Sequence, residues 1–176
     1  EIKDYTYDLP QERIAQFPLK ERDASKLLVY KNGQIQDAIY RDIAEYLPSQ
    51  SLMVFNNTKV VQARLHFQNQ NGAQIEIFCL EPAGENAELT TAMLQKGKVL
   101  WKCMVGKAAK WKEKELFLQN ENAKLRAEKI SKEGDAFTIR FQWEPEHLTF
   151  AEILEKIGDI PIPPYLKRVS EAVDKD

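Results

Sequence analysis

The sequence predicts an α/β domain into which an antiparallel β-barrel domain is inserted. Two observations carry this prediction. Between residues 61 and 144, short apolar stretches alternate with turn residues such as Gly72 and Gly134, and helical periodicity is nearly absent. Before and after this region, strand-like and helical patterns follow one another. The expected domains are therefore residues 1–60 together with 145–176, and residues 61–144.

The first 60 residues are expected to contain a hairpin flanked by short helices. Asn32-Gly33 separates two apolar stretches, which is the strongest short-range signal for a β-hairpin. One short helix is expected after an N-cap at Asp8, and another over Ile39–Leu47. The continuous apolar run Leu52–Phe55 is typical of a buried strand.

Six strands are expected in the inserted domain, followed by one helix. The strand candidates are Arg64–Phe67, Ile75–Leu80, Val99–Val105, Glu115–Leu118, Leu125–Ile130 and Phe137–Phe141. Because no long helical stretch separates them, they favour an antiparallel barrel or sandwich. Apolar residues from Leu148 to Ile157 then recur at helical spacing, and Gly158 is expected to end that helix.

A proline-rich loop follows this helix. Its prolines fix φ and remove backbone donors, so the stretch is expected to be an extended loop, neither helix nor central strand. The three prolines are Pro161, Pro163 and Pro164. A stiff loop loses little entropy on binding. It offers three side chains suited to a partner, Tyr165, Lys167 and Arg168.

The composition of the chain limits which classes of function it can have. The chain has 176 residues, 43% of them hydrophobic, and a net charge of −2, so its overall charge indicates neither a nucleic-acid nor a membrane partner.

Cys79 and Cys103 lie in apolar runs, which favours reduced thiols and a cytoplasmic location over a disulfide. The two histidines, His66 and His147, lie far apart in the sequence, so no histidine-rich metal site is expected. His66 is expected to be an ordinary strand residue.

A polar cluster directly follows the predicted buried strand. It reads Asn56-Asn57-Thr58-Lys59, and the carboxyl ends of strands are where α/β sheets bind ligands. A turn that satisfies its own backbone is the alternative interpretation.

A basic segment between residues 96 and 112 is the second candidate site. It contains six lysines and no acidic residue, interleaved with Trp101 and Trp111. Lysines beside aromatic rings are typical of RNA-binding surfaces, whereas outward lysines that guard strand edges are the alternative. The candidate RNA-binding residues are Lys96, Lys98, Lys102, Lys107, Lys110 and Lys112.

Five blocks, in this order and spacing, resemble one known family. The blocks are Tyr7–Pro18, Arg22–Val29, Phe55–Leu65, Gly72 with Glu76 and Trp101, and Ile160–Arg168. Together they are similar to the S-adenosylmethionine:tRNA ribosyltransferase-isomerases of queuosine biosynthesis. The resemblance implies an α/β large domain, incomplete here, with an inserted antiparallel β-barrel domain. The patterned blocks of the family's C-terminal half are absent, so the chain alone is expected to be inactive.

The resemblance also implies a reaction and its partners. The ribosyl part of S-adenosylmethionine would move to 7-aminomethyl-7-deazaguanine at the wobble position of tRNA and rearrange to epoxyqueuosine. A positioned base, which the sequence does not identify, would remove a C5′ proton that the sulfonium acidifies. The implied partner is the tRNA anticodon loop, with no metal and no membrane. The implied substrate-binding residues are Asn56, Thr58, Lys59, Arg64, Tyr165 and Arg168.

Three residues differ from the usual family pattern. Asn57 stands where Asp is usual, Lys59 where Arg is usual and Gln62 where Pro is usual. The alternatives are therefore a paralogue with another substrate and a non-catalytic tRNA-binding or RNA-binding module. The oligomeric state is not fixed by the sequence, and a monomer is favoured.

Overall fold

The chain forms two compact units. The computed structural model describes residues 1–84, 88–166, 168, 171 and 174. One unit, here called the terminal unit, combines Glu1–Lys59 with Pro163–Asp176. The other, here called the barrel unit, is Val60–Ile162.

The described residues of the terminal unit form one hairpin and several short 3-10 helices. Strands β1 (Lys26–Lys31) and β2 (Gln34–Ile39) pair antiparallel, as predicted. Asn32 and Gly33 have φ of 53° and 78°, the positive values that the tight turn requires. Short 3-10 helices lie at Ile2–Tyr5, Gln11–Arg13, Arg22–Ala24, Tyr40–Tyr46 and Pro164–Leu166.

The predicted helices of the terminal unit are shorter than the sequence pattern indicates. Between Asp8 and Pro18, the helical residues are Gln11–Arg13. The N-cap of this short helix is Pro10, whose backbone is extended. The expected cap at Asp8 is therefore wrong. A helix does form within the predicted range Ile39–Leu47, as the 3-10 helix Tyr40–Tyr46. The expectation that the proline-rich loop contains no helix is wrong at its end. The 3-10 helix Pro164–Leu166 begins at a proline, and the first position of a helix needs no backbone N–H donor.

The buried strand predicted at Leu52–Phe55 is wrong. These residues form no strand, and their exposed fractions are 89%, 38%, 86% and 64% in chain order. A buried strand needs neighbours at its edges and on its faces. No described residue forms a hydrogen bond with the backbone of this run.

The barrel unit is built on one antiparallel sheet of six strands, as predicted. The strands are β3 (Arg64–Gln68), β4 (Gln74–Pro82), β5 (Lys98–Gly106), β6 (Glu115–Gln119), β7 (Lys124–Glu133) and β8 (Ala136–Glu144). Their order in the sheet is β3-β4-β5-β8-β7-β6. The outer strands β3 and β6 come together, so the sheet is nearly closed into a barrel. Among its described residues the unit also contains two α-helices, α1 (Leu89–Met93) and α2 (Phe150–Ile157), and the 3-10 helix Ala108–Lys110.

Helix α2 packs into the interior of the barrel unit. Phe150 is fully buried, with its ring 4.8 Å from Trp101 and 5.6 Å from both Phe141 and Trp143. A capping box between Thr149 and Glu152 starts the helix. This packing keeps α2 in the same compact unit as the strands, whereas residues 145–176 were expected to belong with the first 60.

Both cysteines are free and buried, as predicted. Cys79 on β4 lies opposite Cys103 on β5. Burial raises the pKa of the Cys103 thiol, because the thiolate would lose its hydration. These thiols therefore serve the core as small apolar groups.

The described residues hold neither a candidate membrane span nor a candidate metal cluster. No helix among them is long and apolar enough to cross a membrane. Nor does the part of the chain that the structure describes hold a group of three or more His, Cys, Asp or Glu side chains that could bind a metal ion.

The end of helix α2 makes a close contact with the segment before β3. A Cβ atom on Gly158 would lie 2.1 Å from the backbone oxygen of Gln62 and 2.8 Å from that of Leu154. The side-chain amide of Gln62, with its nitrogen toward the helix, lies within hydrogen-bond distance of the carbonyl oxygens of Leu154, Glu155 and Gly158, at 3.1, 3.0 and 2.7 Å. Helix α2 therefore ends where only glycine fits, and the two N–H groups of the Gln62 amide face its last carbonyls.

Replacing Gly158 by alanine should destabilise the barrel unit strongly. Because the new methyl group would overlap backbone atoms, the expected loss in the free energy of unfolding is at least about 1–3 kcal/mol. The control is Gly106→Ala, whose Cβ would meet Glu76 Cβ at an ordinary 3.4 Å, with an expected change within about 0.5 kcal/mol. Urea unfolding followed by tryptophan fluorescence measures both, since all three tryptophans lie in the barrel unit. Equal losses in the two variants would contradict the close contact.

Candidate functional site

The six predicted substrate-binding residues fall in both compact units. Arg64 belongs to the barrel unit, at the start of β3. The other five belong to the terminal unit: Asn56, Thr58, Lys59, Tyr165 and Arg168.

Asn56 and Thr58 form a self-satisfied turn. The backbone nitrogen and the hydroxyl of Thr58 both donate to Asn56 Oδ1, at 2.9 and 2.7 Å. The alternative interpretation of this cluster, a polar turn that binds its own backbone, is therefore observed. Residues 56–59 are all exposed, so the turn is also accessible to a ligand.

Arg168 is held inside the terminal unit. Its guanidinium donates two hydrogen bonds of 2.7 Å to the carboxylate of Asp174, and its Nε donates to the backbone oxygen of Gln16 at 2.8 Å. The same guanidinium lies 4.3 Å from the ring centre of Phe17. These contacts anchor the proline-rich loop to the beginning of the chain.

Two further side chains of the proline-rich loop, Tyr165 and Lys167, are candidates for binding. Tyr165 is 57% exposed, as a binding residue should be. Lys167 lies outside the described residues.

Four polar side chains meet where β3 begins, and they are here called the β3 cluster. Its members are Arg64, His66, Glu76 and Asp159. Arg64 Nε lies 3.4 Å from Glu76 Oε1, and His66 Nε2 lies 3.6 Å from Asp159 Oδ2. His66 and Glu76 are direct cross-strand partners on β3 and β4. The cluster thus sets two carboxylates beside an imidazole and a guanidinium.

Asp159 joins this cluster through the backbone. Arg64 and Asp159 form an antiparallel bridge with N···O distances of 3.2 and 2.8 Å, directly after the close contact at Gly158. Sequence reasoning missed Asp159, because 92 residues lie between it and His66 and no periodic pattern links them. The one sequence signal for this contact is the Gly158-Asp159 pair after the predicted helix, because glycine lets two backbones approach closely.

A small polar pocket adjoins the β3 cluster. It has a volume of about 280 Å³ and is lined by His66, Gln74, Glu76, Gly106 and Lys107. The carboxylates can face a cationic group, and the imidazole beside Asp159 can accept and release a proton. His66 is an exposed strand residue, as expected, but with a carboxylate beside it that was not.

The six candidate RNA-binding lysines lie on or beside β5. Lys98 and Lys102 alternate with buried core residues, so they point out of the barrel. Lys102 Nζ lies 3.1 Å from Glu81 Oε1. Five of the six lysines are exposed: Lys96, Lys98, Lys107, Lys110 and Lys112.

The tryptophans of the basic segment are not available for stacking on bases. Trp101 and Trp111 are only 1% and 2% exposed, and the ammonium of Lys129 covers the Trp111 ring at 4.8 Å. The RNA-binding interpretation of this segment therefore gains no support from its aromatic rings, because both rings fill the core. What remains of the RNA-binding pattern is the charge.

The pKa of Asp174 should depend on Arg168. Hydrogen bonds from Arg168 and, to a smaller extent, from the backbone N–H of Glu171 lower this pKa from 3.8 to about 2. Because the folded value is depressed, the contribution to stability is complete above about pH 4 and is lost as the pH falls through 2. A ¹³C NMR titration of the carboxyl group should give a pKa near 2, and a clearly higher value in Arg168→Ala, where the contact with Glu171 remains. Arg13→Ala is the control and should leave the value low; an unchanged pKa in Arg168→Ala would contradict the contact.

The similarity to known proteins extends over nearly the whole chain. The family described as Queuosine biosynthesis protein matches residues 2–176. Curated relatives named S-adenosylmethionine:tRNA ribosyltransferase-isomerase occur in Trichlorobacter lovleyi (31% identical), Pelobacter propionicus (33%) and Cytophaga hutchinsonii (34%). Each alignment covers 99% of this chain, but only 47%, 47% and 48% of the relative. No solved structure matches.

The chain therefore spans about half the length of the curated relatives it matches. Within that half, the family match extends over nearly every residue, including the terminal unit and the β3 cluster. On this basis the chain belongs to the family of queuosine biosynthesis proteins.

Proposed function

We propose that this chain supplies the first half of a cytoplasmic, monomeric enzyme that modifies the wobble position of tRNA. The enzyme transfers the ribosyl part of S-adenosylmethionine to 7-aminomethyl-7-deazaguanine and isomerises it to epoxyqueuosine. The observation that carries this proposal is the match to ribosyltransferase-isomerases over 99% of the chain. Since those relatives are about twice as long, the chain alone is proposed to be inactive.

The β3 cluster offers groups that the first step of this reaction needs. The sulfonium of S-adenosylmethionine is a cation, which Glu76 and Asp159 can face. It acidifies the C5′ protons, and His66 beside Asp159 is the proposed acceptor. In this step the C5′–H bond breaks, an N–H bond forms on the imidazole, and the electron pair stays on C5′.

The other proposed roles follow from exposure and charge. Asn56, Thr58 and Lys59 lie on an exposed polar turn and are proposed to contact the nucleoside. Tyr165, which is 57% exposed, is proposed to stack on a base of the anticodon loop. Arg168 acts through position: its contacts with Gln16 and Asp174 hold the loop that carries Tyr165.

Turnover tests the proposed reaction. The chain alone should release no adenine from S-adenosylmethionine, whereas a chimera with the second half of the C. hutchinsonii relative should release it with precursor-bearing tRNA. In the chimera, Arg64→Ala should lower kcat/KM at least about tenfold, because the guanidinium beside Glu76 is lost. Arg126→Ala, on β7 beside Glu115, is the control and should change little. A chimera that folds and binds tRNA but releases no adenine would favour the paralogue with another substrate.

A second candidate function is RNA binding without catalysis. The outward lysines of the basic segment favour it, since they keep a positive surface in a chain of net charge −2. Tight, salt-sensitive binding of an anticodon stem-loop by this chain, unchanged by S-adenosylmethionine, would support this alternative.

The salt dependence of RNA binding should identify the contributing lysines. Replacing Lys107, Lys110 and Lys112 by alanine removes three exposed charges, so the slope of log K against log salt should fall by about 2. The control replaces three lysines elsewhere in the barrel unit, Lys114, Lys124 and Lys132, and should leave the slope almost unchanged. Fluorescence anisotropy with a labelled stem-loop at several salt concentrations measures both. Equal slopes in the two triple variants would exclude the basic segment as the RNA contact.

A further inference from the structure

The pocket beside the β3 cluster contains side chains to which the proposed reaction assigns no role. Besides members of the cluster, it is lined by Gln74, Gly106 and Lys107, all within the barrel unit. Its volume of about 280 Å³ is small, since pockets that enclose a whole drug-sized ligand measure roughly 300–1,000 Å³. The pocket is therefore suited to one end of a ligand.

Gly106 leaves this pocket open. It lies directly opposite Glu76 in the sheet, where a Cβ atom would lie 3.4 Å from the Cβ of Glu76. Gly106 does not have the positive φ that favours glycine, so its backbone accepts any residue. A glycine that the backbone does not require often marks the close approach of a ligand to a strand.

Lys107 occupies a position where glycine would be favoured. Its backbone is left-handed, with φ of 58° and ψ of 35°, and a residue with a Cβ adopts this conformation at a cost in free energy. Among the described residues, none forms an ion pair with the Lys107 ammonium or a hydrogen bond with the Gln74 side chain. An unpaired ammonium beside an unpaired amide, at a strained position, indicates a site for a carboxylate.

The charged groups follow one another along the sheet. Gln74 and Glu76 are two residues apart on β4, about 7 Å, and Lys107 follows Gly106 toward Gln74 because β4 and β5 are antiparallel. On the other side of Glu76, one step further along the sheet, Asp159 is bridged to Arg64. The order is thus an ammonium with an amide, a carboxylate, and a second carboxylate beside the imidazole.

The charges of S-adenosylmethionine have the complementary order. Its α-carboxylate is followed by the α-ammonium and then by the sulfonium. A ligand that lies along the β3 cluster with its carboxylate at Lys107 therefore places each charge beside a group of opposite sign.

We propose that this pocket binds the α-amino-acid end of S-adenosylmethionine. Lys107 and Gln74 face the α-carboxylate, Glu76 faces the α-ammonium, and the space beside Gly106 admits this end of the ligand. The sulfonium then lies toward Asp159, where the proposed reaction needs it. The inference rests on the proposed function, and it makes Lys107 the residue that selects a substrate with a free amino-acid end.

Two ligands that differ only in the α-carboxylate test this pocket. They are S-adenosylmethionine and decarboxylated S-adenosylmethionine, and isothermal titration calorimetry with the complete 176-residue chain measures both affinities. S-adenosylmethionine should bind at least about tenfold more tightly, because the decarboxylated compound leaves the Lys107 ammonium without a partner. Equal affinities, or no binding of either compound at millimolar concentration, would overturn the proposal.

Replacing Lys107 should remove the preference for the carboxylate. In Lys107→Gly the two affinities should agree within about twofold, whereas Lys107→Arg keeps the charge and should keep the preference. Because glycine fits the left-handed backbone, Lys107→Gly should not lower the melting temperature. Lys114→Ala removes an exposed charge outside the pocket and is the control. Loss of the preference in this control too would indicate general charge attraction and contradict the pocket.

Gly106→Val tests whether the space beside Glu76 is used. Since the backbone of Gly106 does not require glycine, the variant should fold. The new side chain would occupy the pocket and should weaken the binding of S-adenosylmethionine at least about tenfold. An unchanged affinity would place the amino-acid end elsewhere.

The chimera separates this inference from the proposed reaction. There, Lys107→Gly should raise the KM for S-adenosylmethionine at least about tenfold. Turnover with an unchanged KM would overturn the amino-acid pocket and leave the reaction in place. A chimera that releases no adenine, combined with a chain that prefers the carboxylate through Lys107, would count against the proposed reaction alone.

Discussion

The contact of Gly158 with the backbone of Gln62 is the constraint on which the β3 cluster depends. Because residue 158 has no Cβ, the chain leaving α2 can approach β3 closely enough to form the backbone bridge between Arg64 and Asp159. That bridge brings the Asp159 carboxylate to His66, while the sheet register brings Glu76 to the same imidazole. A polar cluster assembled from three separate segments thus relies on a residue without a side chain.

Gln62 contributes to the junction between α2 and β3, at a position where the resemblance leads us to expect proline. Proline has no side-chain donor. Here the nitrogen of the Gln62 side-chain amide lies within hydrogen-bond distance of three carbonyl oxygens at the end of α2, one of which, Leu154, also accepts from the backbone N–H of Gly158. The helix end is therefore held by an interaction that the usual residue cannot make, and the close contact at Gly158 is kept.

The two compact units differ in how they are stabilised. The barrel unit closes a sheet around Phe150 and the buried tryptophans, and it satisfies most of its strand backbone within the sheet. The described residues of the terminal unit hold together through turns, a hairpin and ion pairs, among them Arg168 with Asp174 and Arg41 with Glu21. Hydrophobic burial is the largest favourable term in folding, so the terminal unit lacks what most stabilises the barrel unit.

Local sequence patterns determined most of the secondary structure. The six strands alternate with a period of two, Asn32-Gly33 can adopt the positive φ values of a tight turn, and α2 carries its own capping box. Those signals act between residues close in the chain, so the sequence reveals them directly. The polar turn at Asn56 was likewise foreseen as an alternative, since Asn and Thr bind their own backbone.

Burial and long-range contacts were decided only by the tertiary structure. Leu52–Phe55 has the composition of a buried strand, but burial depends on neighbours that a local pattern does not contain. Trp101 and Trp111 could have faced RNA or the core, and the closure of the barrel chose the core. The sequence by itself thus determined which segments are strands, hairpin and helix, while the pairing of His66 with Asp159 required a backbone contact between segments nearly a hundred residues apart.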